Sequence, residues 1–229
     1  MAGAAKVLRA AIRNAYQDIK ELDAAMAEIA VVTDFSVGDM WEQLPEYTSR
    51  ANELGVAIKS VYEASALYYQ QGLNTNEVAE LSTETLKMMK IAGLGAKEAT
   101  DRMTAALRGF NMELNKTSAE NVADVYSELA AITAADVNDI SIAMTKTASI
   151  AKSAGMEFES TAAILSQIIE TTQESPETAG TALKTIIARF QELKKAPDEI
   201  GEVDGEIVNA NQIEGALRSV GVSLRDASG

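Results

Sequence analysis

One signal recurs along this chain, a glycine followed by an apolar residue at the end of an amphipathic run. It stands at Gly72-Leu73, Gly93-Leu94 and Gly155-Met156. Glycine takes the left-handed conformation that ends a helix, and the apolar residue folds back on the last turn. Between these stops apolar residues recur at helical spacing. One stripe runs through Ile58, Val61, Tyr62 and Tyr69, the next through Val78, Leu81, Met88 and Met89. A third, Ala99, Met103, Ala106, Leu107 and Phe110, ends at residues 109–111. Thr117 or Ser118 opens a fourth, through Val122, Val125, Leu129 and Ile132. Val137, Ile140, Met144, Ala148 and Ala151 form a fifth, and Phe158, Ala162, Leu165 and Ile169 a sixth. Only three prolines occur in 229 residues, and aromatics make up 5%. Short side chains and few helix breakers favour helices packed on helices. The pattern predicts an all-α fold: a domain of about eight to nine helices joined by short Gly-containing turns, preceded by a long heptad-patterned helix.

That long helix is predicted over residues 3–32. Leu8, Ile12, Ala15, Ile19, Leu22, Met26 and Ile29 alternate by fours and threes, a heptad seam. It is predicted to be about 45 Å long, either packed on the domain or continuing an upstream coiled coil. A break at residues 34–39 precedes a helix over 39–54, with Pro45 in its first turns. Trp41, the one tryptophan, is assigned to the core. Three regions follow: 1–33 as the long helix, 34–195 as the all-helical core, and 196–229 as an irregular extension. The extension contains a hairpin or plain turn at Asp204-Gly205 and a short helix over 213–220, and it reads as cut rather than finished.

Residues 173–192 state a helix start most plainly. Ser175 is a good N-cap, Pro176 loses no hydrogen bond at the first helical position, and Glu177 suits the first turn. Ala179, Ala182, Leu183, Ile186, Ile187 and Phe190 then share one face. Glycine weakens a helix interior, so Gly180 marks a contact that tolerates no side chain. This is expected to be the central buried helix. Residues from Ile91 and from Ser153 share a layout, with Gly93 over Gly155, which either duplication or common helix-turn-helix grammar produces.

Histidine and cysteine are absent, which removes disulfides, ordinary hydrolase triads and the usual zinc ligands. The net charge of −14 repels phosphate backbones, so stable nucleic-acid binding is not expected. No apolar run is long enough for a membrane span, and residues 1–14 lack the apolar centre of a signal peptide. The sequon Asn115-Lys116-Thr117 is therefore expected to stand idle. An EF-hand reading of the acidic stretch fails: with Gly205 sixth, Ile200 is first and Asn211 twelfth. Carboxylate pairs such as Glu157 with Glu159 and Asp136 with Asp139 read as solvated helix faces. No catalytic, metal or cofactor residues are assigned, and no enzymatic activity is expected.

Several runs together resemble the core domain of phage tail tape measure proteins, the family typified by lactococcal siphophages. They are YYQQGLNTNEVAELSTETLKMMKIAGL, EATDRMTAALRGFNME, DVYSELAAITAADVNDISIAM, ASIAKSAGMEFESTAAILSQIIETTQES, ETAGTALKTIIARFQELK and NQIEGALRSVGVSLRDASG. They hold one order across roughly residues 35–229. The resemblance implies a structural virion protein that is made in the host cytoplasm and lodged inside the tail. It implies that the protein sets tail length during assembly, leaves ahead of the DNA, and helps the genome cross the host membrane. The implied partners are tail tube, tail-tip and tail assembly chaperone proteins, with self-association through the N-terminal helix. Membrane contact is implied only for the full-length protein. This chain would be the folded part with a piece of a flanking helix.

The alternative is a free-standing helical adaptor that binds partner helices. A parent gene ending near residue 229 favours the adaptor, and one continuing for hundreds of helical residues favours the tape measure. On either reading the candidate packing and partner contacts are Leu8, Ile12, Ile19, Leu22, Met26 and Ile29 on the first helix, Trp41, and Ala179, Gly180, Ala182, Leu183, Ile186 and Phe190.

Overall fold

The computed structural model describes the backbone of residues 2–195 and the side chains of residues 10–191. The expected Asp204-Gly205 turn, the 213–220 helix and the rejected calcium loop lie outside the described residues. The described residues form ten α-helices: α1 Ala2–Val32, α2 Val37–Glu42, α3 Leu44–Leu54, α4 Ile58–Gln70, α5 Thr75–Ala92, α6 Ala96–Gly109, α7 Lys116–Ile132, α8 Val137–Ser153, α9 Phe158–Thr172 and α10 Pro176–Lys195.

Local chemistry sets the boundaries. Gly55, Gly72, Gly93 and Gly155 all have φ between +64° and +83°. After each, the next amide reaches back to a carbonyl five residues earlier, as in Leu94 N to Met89 O at 3.1 Å and Met156 N to Ala151 O at 3.0 Å. The same bond closes α6, where the left-handed residue is Asn111, so the layout shared by residues 91 and 153 needs only common stop chemistry. Ser36, Asn74 and Asp136 open α2, α5 and α8 with capping boxes closed by Asp39, Glu77 and Asp139.

Two local expectations are corrected. Residues 39–54 are not one helix. The helical segment starts earlier, at Val37 with Ser36 as its cap, and breaks at Gln43 because Pro45, within the first turn of α3, has no N–H to continue α2. The cap of α7 is Asn115, whose Oδ1 accepts from Ser118 N at 2.9 Å, rather than Thr117 or Ser118. The stop expected at residues 109–111 is where α6 ends, with Gly109 its last residue and Asn111 the left-handed one.

The helices form a stack. α1 packs on α4, α4 on α5 and α6, α5 on α7, α6 on α8, and α8 on α9 and α10. The central helix is α8, not α10. Its buried Ser141, Ala143, Thr147, Ala148 and Ala151 are small, so neighbours approach closely on two sides. A Cβ on Gly109 would stand 2.4 Å from Ala148 Cβ, and one on Gly180 2.5 Å from the Ala143 carbonyl oxygen. Thr147 Oγ1 lies 2.9 Å from Gly180 O and 3.2 Å from Ala143 O, so its one hydrogen is shared across the α8–α10 contact. Arg102 clips α6 to α8 through Asn138 O, Asn138 Oδ1 and Ser141 Oγ at 2.7–3.0 Å.

Candidate interaction site

Among the described residues, two apolar helix faces at opposite ends of the stack have no partner. The first is on α1. Ala25, Met26 and Ile29 are buried, and Leu22 is half-buried at the edge of the core. Ion pairs flank this contact, from Glu21 to Lys59 of α4 at 2.9 Å and from Glu28 to Lys97 of α6 at 3.0 Å. All four side chains are 40–49% exposed, so these pairs orient α1 while the apolar burial holds it. Hydrogen bonds from Gln17 and then Lys59 hold the Glu21 carboxyl below its usual range.

Towards its N-terminus α1 leaves the body. Every side chain from Ala10 to Lys20 is exposed. Ile12 is 62%, Tyr16 70% and Ile19 56% exposed, on the side of the helix that Met26 uses for burial. Leu8 lies outside the described side chains. The seam therefore changes role along its length because α4 begins only at Ile58, beside Leu22. Where the body ends, Asp18, Ile19, Glu21, Leu22, Ala57, Ile58 and Lys59 line a groove of about 370 Å³.

The second face is on α10. Ala179, Gly180, Leu183 and Ile187 are buried against the body. Ala182, Ile186 (49%) and Phe190 (38%) are exposed, which corrects the expectation of one fully buried face. At 3.6 residues per turn the apolar arc from Ala182 to Gly180 spans about 160°. The body covers only its Gly180 half.

Trp41 belongs to neither face and is not in the core, at 38% exposure. α2 has six residues and buries Met40, so the next side chain turns about 100° outwards. Sequence periodicity puts Ala148 on the buried stripe of α8 but shows no sign of its close contact with Gly109.

Among the described residues no cluster of three or more acidic side chains is placed to hold a metal ion. Among them, too, no helix is long and apolar enough to cross a membrane. What the geometry offers is apolar helical surface for another helix.

Comparison with known proteins gives that surface a context. The profile of the phage-related minor tail protein family matches residues 48–229. A tape measure protein of Pneumococcus phage Dp-1 is 25% identical over 213 residues, 91% of this chain. The chain spans 16% of that relative's length. No solved structure matches.

Proposed function

The chain belongs to the phage-related minor tail protein family, and on that premise we propose that it is the folded part of a tape measure protein, a structural component of the phage tail. The observation that carries this reading is the family match across residues 48–229. The likeness to the Dp-1 tape measure protein along 91% of the chain supports it. In this reading the parent protein sets tail length, lies within the tail, and leaves ahead of the DNA to help it cross the host membrane. Residues 1–33 form an arm, 34–195 the body, and 196–229 an extension.

The partner surface is the outer half of α1. Ile12, Tyr16 and Ile19 present an apolar stripe at helical spacing, which suits another helix laid alongside. Tail tube, tail-tip and tail assembly chaperone proteins, and further copies of this chain, are the candidates. The net charge of −14 keeps such a protein from adhering to the DNA that follows it.

Mass spectrometry of purified particles tests the assignment. Peptides from residues 34–195 are expected in DNA-filled particles and depleted in particles that have ejected their DNA. Their absence from filled particles overturns the tail location. Their full retention in emptied particles overturns the ejection role.

A further inference from the structure

The open half of α10 is a surface that this chain has the means to cover. Glu177, Thr178, Thr181, Ala182, Thr185 and Ile186 line a shallow groove of about 570 Å³ along it. Three observations point to one occupant. The first is charge. From residue 184 to the end of α10 the sequence holds Lys184, Arg189, Lys194 and Lys195 against one acid, Glu192. Residues 196–212 then hold Asp198, Glu199, Glu202, Asp204 and Glu206 and no basic residue. Opposite charges in consecutive stretches favour a chain that returns along the helix over one that leaves it.

The second observation is pattern. Ile213, Ala216, Leu217 and Val220 recur at positions i, i+3, i+4 and i+7, just before Gly221-Val222. Such a stripe needs an apolar surface opposite it. The intervening 17 residues reach up to about 60 Å when extended. α10 is roughly 30 Å long, so every turn of it is within reach. The third is inheritance. The family match starts at residue 48, inside α3, and runs to residue 229. The segment therefore lies within the family's profile together with most of the body.

We propose that residues 213–222 dock on the Ala182, Ile186 and Phe190 face of α10 in the same chain. The outer face of α10 is then internal packing, and α1 remains the surface open to other proteins. This inference rests on the family match and the geometry of α10, and it stands whether or not the protein is ejected with the genome.

The chain has no cysteine, so an engineered pair reports cleanly. In the full-length chain, I186C with L217C is oxidised under mild conditions, then analysed by non-reducing electrophoresis and peptide mapping. Ile186 is 49% exposed, so the substitution spares the core. The expected product is a monomer with an internal disulfide. Disulfide-linked dimers would show that a second copy covers the face, and two free thiols would show that nothing does. Either overturns the proposal. As a second readout, I186C alone is expected to react with a maleimide about tenfold more slowly than I132C, an exposed reference on α7. Equal rates contradict docking.

Discussion

A methyl added at Gly109 meets another methyl, that of Ala148, whereas one added at Gly180 meets the backbone of Ala143. The first clash can be relieved by trimming a side chain and the second cannot. Gly109→Ala and Gly180→Ala are each expected to destabilise the fold by about 1–3 kcal/mol, the usual cost of overpacking. Ala148→Gly should recover part of the loss in Gly109→Ala, giving a coupling above about 0.5 kcal/mol in a double-mutant cycle. Ala143→Gly should recover nothing in Gly180→Ala. Urea unfolding followed by circular dichroism measures all four, and rescue at Gly180 would contradict this geometry. Gly180 could be read from sequence because a glycine inside a strong helix has a cost that needs a reason. Gly109 could not, because it sits beside Asn111 at a helix end and resembles a stop. Asn115 was hidden for a related reason. Residues 115–118, Asn-Lys-Thr-Ser, offer three capping side chains, and only the path of the chain selects one.

α1 shows why a periodic stripe does not define a buried face. Met26 and Ile12 lie on the same seam, one at 0% and the other at 62% exposure. Met26→Ala should therefore cost about 2–5 kcal/mol, as for other buried large side chains. Ile12→Ala should fall within about 0.5 kcal/mol of the parent. Equal effects in chemical unfolding would mean that α1 packs along its whole length. The seam itself was legible from spacing. Where cover ends was not, because it depends on the start of α4, more than thirty residues further along the chain. α10 shows the same limit. Its apolar arc is wider than the body covers, and sequence alone does not say which half meets α8. The division of residues 37–54 into α2 and α3 was only partly legible. Pro45 fits the first turns of a helix, but the sequence pattern does not show that it opens a separate one, and the Ser36–Asp39 capping box that fixes α2 lies ahead of the apolar pattern.

For the whole molecule, helical class and most stops followed from local chemistry, since five stops are a glycine, or Asn111, with an apolar residue after it, whereas Thr133 ends α7 and Gln173 ends α9 without that signal. The choice of α8 as the hub is a property of the assembled stack. Its small residues give it a weaker apolar stripe than α10, and only the neighbours on several sides explain them. In the proposed function this stack lies in a phage tail and α1 is the arm that meets other proteins. Electron microscopy of tails tests that claim most directly. The parent phage would carry an in-frame deletion of residues 35–195. The account predicts tails shorter than those of the parent, as expected when part of a ruler is removed. Tails of normal length on fully infectious particles would contradict it.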